Sequence, residues 1–138
     1  MNKKIVTIII TIGILLAGGI YLFWGKRDMY SEANAPRTTI ELSTDSTDFG
    51  TFPYAESKHC VFRFRNTGEQ PLIIKNVVSS CGCAEVTWNK RPIAPGKTDS
   101  LAVDFKANSL GQFNKTVEMI CNTEPERHLL HLKGFVEE

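Results

Sequence analysis

The sequence predicts an all-β domain, an antiparallel β-sandwich of seven to eight strands, preceded by one apolar N-terminal helix. Three observations carry that prediction. Beyond residue 37 the apolar residues recur with period two, the spacing of a half-buried strand. Short Gly, Pro, Asn and Asp clusters break those runs at near-regular intervals, as they do in sandwiches. No segment past residue 24 shows helical periodicity, whereas the stretch before it carries an unbroken apolar run.

That run extends from Ile5 to Trp24 without a charged residue. At about 1.5 Å of rise per residue, a helix of this length spans roughly 30 Å, the thickness of a hydrocarbon core. Lys3 and Lys4 precede it, and Tyr21 and Trp24 stand at its far end, where amphipathic rings favour the headgroup level. A cleaved signal peptide is the alternative. Its apolar region is shorter, about 7–15 residues, and the small-residue site Ala33-Asn34-Ala35 lies far downstream with Pro36 directly after it. Either reading carries the rest of the chain out of the cytosol. The expected organisation is therefore a signal-anchor helix over residues 1–24, a polar linker over 25–37 and a sandwich over 38–138.

The strands follow in order. "TTIELS" from Thr38 to Ser43 is the first, and "DFGTFPYAES" is a short edge piece with Gly50 and Pro53 as punctuation. "KHCVFRFRN" sets Cys60, Phe62 and Phe64 on one face and Val61, Arg63 and Arg65 on the other. After the turn "NTGEQP" come "LIIKNVVS" and, past two cysteines, "AEVTW" with Val86 and Trp88 on one face. "TDSLAVDFKA" aligns Leu101, Val103 and Phe105; "QFNKTVEMICN" aligns Val117, Met119 and Cys121; "LLHLKGFV" closes the pattern. The expected core is Phe62, Phe64, Ile73, Val77, Trp88, Leu101, Val103, Phe105, Val117, Met119 and Leu132. About 100 residues with this patterning is the size of an immunoglobulin-like domain.

The ordered set "DFGTF", "FRFRNTGEQPLIIKNVVSSCGC", "PIAPGKTDSLAVDF", "GQFNKTVEMICN" and "LHLKGFV" resembles the family called domain of unknown function 1573. The resemblance covers about residues 47–136, and its most specific piece runs from Asn66 to Cys83. It implies an exported bacterial protein with an immunoglobulin-like sandwich, akin to major-sperm-protein and ciliary (ASPM–SPD-2–Hydin) modules. It implies a fold and a place at the cell envelope but no activity. In this light Asn66 and Gly68 suit a turn that needs positive φ. Gly134, inside the last strand, suits a bulge or a close backbone approach.

The four cysteines fall into two pairs. Cys60 and Cys121 both point inward by alternation, on strands that face each other across such a core. They read as a buried disulfide or as two buried free thiols. Cys81 and Cys83 flank Gly82 at a strand exit. They read as a tight turn, as half of a soft-metal site for Cu(I) or Zn(II), or as a redox pair. A complete metal cage needs further ligands, and His128 and His131, three apart on a strand, face opposite ways.

The chain has 138 residues and a formal net charge of +1, which leaves no electrostatic footprint for nucleic acid. No nucleophile elbow, phosphate loop or HExxH is present, so no conventional enzyme is expected. The function expected is a binding or assembly module, single-pass in the bacterial inner membrane through Ile5 to Trp24, with the sandwich periplasmic and a protein partner in the cell envelope. Secretion after signal cleavage, and thiol-dependent metal or redox work at Cys81 and Cys83, are the alternatives. No cofactor is specified by the sequence.

Overall fold

The computed structural model describes residues 2–24 and 35–138. Helix α1 spans Lys3–Trp24. Its side chains are described through Gly19, and among the described residues no helix is long and apolar enough to cross a membrane. The expected linker falls outside the described residues as far as Asn34, as do the first two residues of the Ala33-Asn34-Ala35 site.

The second unit, Ala35–Glu138, is a two-sheet sandwich of eight strands. In chain order they are β1 (Ile40–Leu42), β2 (Ser46–Pro53), β3 (Ser57–Asn66), β4 (Ile74–Ser79), β5 (Ala84–Trp88), β6 (Thr98–Lys106), β7 (Gly111–Cys121) and β8 (Arg127–Glu137). One sheet runs β1-β3-β6-β5 and the other β2-β8-β7-β4. The pairing is antiparallel with one correction to expectation: β2 lies parallel to β8. Alternation tells which residues face inward but not which strand lies beside which, and β2 reaches β8 from the far end of the chain.

Alternation places the core as expected for most positions. Phe62, Leu101, Val103, Val117, Met119 and Leu132 are completely buried, and Phe64, Ile73 and Phe105 nearly so. Val77 and Trp88 pack against this core only half-buried. Phe52, Leu72, Ile93, Phe113, Leu130 and Val136 belong to it as well. Aromatic rings from both sheets stack near one end of the sandwich. Phe105 of β6 and Phe113 of β7 lie 4.6 Å apart between centroids, with Phe52 of β2 edge-on to both. Such contacts add specific geometry to the area they bury.

The opposite end is fastened by two buried asparagines. Asn66 Oδ1 accepts from Thr38 Oγ1 at 2.8 Å and from Gly68 N–H at 3.1 Å, while its Nδ2 donates to the carbonyls of Gln70 and Ile93. Asn122 Oδ1 accepts from Ile73 N–H at 2.7 Å, and its Nδ2 donates to the carbonyls of Pro36 and Pro71. The expected reason for Gly68 is corrected here. Positive φ occurs at Gly50, Gly96 and Gly111, not at Asn66 or Gly68. A Cβ on Gly68 would collide with Thr38 Oγ1 and come within 2.7 Å of the Thr39 nitrogen, so close approach of the β1 lead-in is what excludes a side chain. Gly134 meets its expectation: a Cβ there would lie 2.9 Å from the Gly50 carbonyl, opposite a shift in the β2 register between Asp48 and Thr51.

Candidate functional site at the cysteine loop

Three connections that cross between the sheets meet at the aromatic end: Tyr54–Glu56 after β2, Ser80–Cys83 after β4 and Ala107–Leu110 after β6. Each must leave one sheet and enter the other, so each is short, turned and open to solvent on one side. Cys81, Gly82 and Cys83 occupy the middle connection.

Hydrogen bonds that do not involve sulfur hold this connection. Ser80 N–H donates to the Thr116 carbonyl at 2.8 Å, and Thr116 N–H donates to Ser80 Oγ at 2.9 Å. Ser79 Oγ donates to the Cys81 carbonyl at 2.8 Å. Lys106 N–H donates to the Cys83 carbonyl at 2.8 Å, which ties the loop to the end of β6. Gly82 is exposed, Cys81 is partly buried and Cys83 is 8% exposed against the core.

Cys81 and Cys83 are joined by a disulfide, with their Cα atoms 5.2 Å apart. The form seen is thus the oxidised pair: a metal takes thiolates, and here each sulfur is bonded to the other. Among the described residues no cluster of three or more His, Cys, Asp and Glu could hold a metal ion. His128 and His131 do stand on opposite faces of β8. His128 Nε2 lies 2.8 Å from Thr123 Oγ1, while His131 alternates outward from the buried Leu130 and Leu132.

Of the two readings of Cys60 and Cys121, a buried disulfide or two free thiols, the structure has the second: both cysteines are free. Both do face inward, but alternation fixes the face and not the position along the strand. Cys121 pairs with Ile74 beside the Asn122 fastening. Cys60 stands six residues before Asn66 on β3, about 20 Å back along the strand at roughly 3.3 Å per residue. A disulfide needs Cα atoms within about 7 Å. Burial pushes the Cys121 thiol up to about 12 from its ordinary 9.0. Burial also raises Cys60, against a hydrogen bond from Thr47 that pulls it back. Both behave as small apolar side chains.

Gly82 and Cys83 line a shallow concavity with Tyr54, Lys106, Ala107 and Asn108. Tyr54 and Asn108 also line the adjoining one, which adds Ala55, Ser109, Leu110 and Glu138 and is mostly apolar. Tyr54, 45% exposed, and Asn108 are shared, so the apolar concavity at Leu110, 53% exposed, runs into a second, half-polar one that reaches the disulfide at Gly82 and Cys83. The sequence marked the cysteines but not this groove. Tyr54 and Leu110 lie in turns, where periodicity carries no signal.

The family profile described as "Protein of unknown function (DUF1573)" matches residues 40–136, nearly the whole sandwich. This chain belongs to that family. No curated protein matches it. Among solved structures it is similar to a protein of unknown function from Porphyromonas gingivalis, with a TM-score of 0.64 at 19% identity. That match covers 78% of this chain and 51% of the other, so the chain spans about half of that relative's length. It is similar also to the ASH/PapD-like domain 7 of human CEP192, with a TM-score of 0.62 at 14% identity, covering 76% of this chain and 89% of that one. A third likeness, to the VesB protease of Vibrio cholerae, has a TM-score of 0.54 at 14% identity and takes in 86% of this chain but 35% of the protease. At such identities each likeness establishes the fold alone, an immunoglobulin-like two-sheet sandwich in keeping with the resemblance read from the sequence.

Proposed function

We propose that this protein is a membrane-anchored, extracytoplasmic binding module. In this reading α1 holds it in the bacterial inner membrane, the sandwich stands on the periplasmic side, and the cysteine end engages a protein partner of the cell envelope. The observation that carries the reading is the joined Cys81–Cys83 pair at the end of an exposed groove whose far part, at Leu110, is apolar. Disulfides persist in oxidising compartments, so the bond favours the periplasmic side, which the charges flanking the helix leave open. Loops gathered at one end of a sandwich are where such folds place their binding residues. The anchor rests on the uncharged run Ile5–Trp24. Within it Ile8, Ile9, Leu15 and Leu16 are each more than half exposed, a surface suited to lipid.

The test uses the full chain in cells. It should sediment with membranes and resist carbonate extraction, and protease added to spheroplasts should digest the sandwich. A soluble mature form beginning near Pro36 would defeat the anchor. For the binding half, a photo-crosslinking residue in place of Leu110 should capture a defined envelope protein, whereas one in place of Arg63 should not. Equal capture from both positions would remove the groove from the interface.

A further inference from the structure

We propose that the Cys81–Cys83 disulfide is a working thiol–disulfide exchange site, and that its substrate is a cysteine-bearing peptide segment with apolar neighbours lying in the Tyr54–Leu110 groove. This rests on the groove being the binding surface.

The first argument is what the bond does not do. A disulfide stabilises a fold mainly by closing a loop in the unfolded chain, and the effect grows with loop length. Here the partners are two positions apart, so the bond constrains almost nothing. The loop conformation is already set by Ser79, Ser80, Thr116 and Lys106 through bonds that bypass sulfur. Reduction therefore leaves the loop in place, which suits a pair that cycles.

The second argument is placement. Cys81 is the more open partner and Cys83 the more buried one. Gly82 between them meets nothing on its open side, so a substrate backbone can approach closely. Lys106 lines the same concavity as Cys83, which puts a basic residue in the site where a leaving thiolate would form.

The chemistry follows from that asymmetry. A substrate thiolate attacks Cys81 Sγ; the Cys81–Cys83 bond breaks, a substrate–Cys81 bond forms, and Cys83 leaves as a thiolate. A second substrate thiolate then attacks the substrate sulfur of this mixed disulfide, and Cys81 leaves. Two substrate thiols become one disulfide, two electrons and two protons pass to the pair, and Cys81 and Cys83 end as thiols. A disulfide-bearing protein of the same compartment restores the bond by the same steps in reverse. Access to the sulfur and the identity of the leaving thiol govern the rates of such exchange.

The test equilibrates the full chain in detergent with glutathione buffers and follows each cysteine by alkylation and mass. Cys81 and Cys83 should open together in millimolar reduced glutathione while Cys60 and Cys121 stay unlabelled, and the thermal midpoint should move by less than about 3 °C. A pair that stays closed until the chain unfolds, or whose reduction lowers the midpoint well beyond that, would make it a structural staple and end the proposal. Cys83→Ser should trap a peptide on Cys81 at least about tenfold more than Cys81→Ser traps one on Cys83; equal trapping would overturn the assignment of roles. Leu110→Asn should slow exchange with an apolar cysteine peptide at least about fivefold more than exchange with glutathione, and equal slowing would remove the groove from it. Crosslinking from Leu110 is repeated in the Cys81→Ser, Cys83→Ser chain. Capture that persists while wild-type exchange fails leaves the binding module standing and sinks only the exchange. Loss of capture in the wild-type chain sinks the binding reading and, with it, the peptide substrate.

Discussion

His128 shows how one residue couples this fold to pH. It lies on the inward side of β8, and Thr123 Oγ1 already donates to the Pro125 carbonyl at 2.7 Å, so the imidazole Nε2–H is the donor in the 2.8 Å contact between them. Burial lowers the pKa of His128 from the ordinary 6.5, and the Pro125 carbonyl opposes that in part. As pH falls through that value the unfolded chain takes up the proton first, so the unfolded state is favoured and stability declines toward the depressed native pKa. The expected result is a urea midpoint lower at pH 5 than at pH 7.5, with the difference reduced in His128→Gln. A pH dependence unchanged by that substitution would place its source elsewhere. At this scale the sequence was legible in facing and illegible in depth. It placed Cys60 and Cys121 on inward faces but could not show that they stand at different heights in the sandwich. It marked Gly68 as special yet could not show that the reason is the β1 lead-in pressing against it, because that contact joins residues far apart in sequence.

The elements were legible wherever alternation was unbroken. β3 and β6 have clean period-two patterns, and their predicted inward residues are buried, Cys60 only partly. β5 departs from this. Trp88 was expected to be core, but β5 is an edge strand, so its last residue is covered from one side. Its indole Nε1 is buried without a hydrogen-bond partner, and Lys90 Nζ lies over the ring at 5.3 Å. Phe62 and Trp88 should therefore respond differently. Phe62→Ala empties a completely buried site and should cost about 3–5 kcal/mol. Trp88→Phe keeps most of the packing and removes a donor whose burial costs about 1–3 kcal/mol, so it should be within about 1 kcal/mol of neutral. Denaturant unfolding measures both, and a loss at Trp88→Phe as large as that at Phe62→Ala would mean the indole nitrogen is satisfied. Phe52, Phe113 and Leu130 escaped notice for related reasons. Phe52 sits in a stretch broken by Gly50 and Pro53, Phe113 shares its face with Lys115, and Leu130 follows another leucine, so local pattern gives no preference.

For the whole molecule, the sandwich was legible and its N-terminal limit was not. The first strand was expected from Thr38 and the family profile begins at residue 40, but the compact unit begins at Ala35. Residues 35–39 carry almost no apolar signal; their role is to satisfy polar groups of the fold. The Pro36 carbonyl accepts from Asn122 Nδ2, and Thr38 N–H donates to the Asn122 carbonyl at 2.9 Å. Thr38 Oγ1 donates to Asn66 Oδ1, and the Thr39 carbonyl accepts from Thr67 N–H at 3.0 Å. Asn66 and Asn122 are 0% and 3% exposed, so groups released there have little access to water. Leaving a buried polar group unpaired costs about 1–3 kcal/mol. A chain of residues 35–138 should thus unfold with the stability of the full chain in detergent, within about 0.5 kcal/mol, whereas one of residues 40–138 should lose about 2–4 kcal/mol although no residue of the apolar core has been removed. Urea unfolding of the three chains, followed by far-UV circular dichroism, makes the comparison. Equal stability of the two shortened chains would mean that water replaces the lead-in at Asn66 and Asn122, and that the fastening at that end of the sandwich begins at β1.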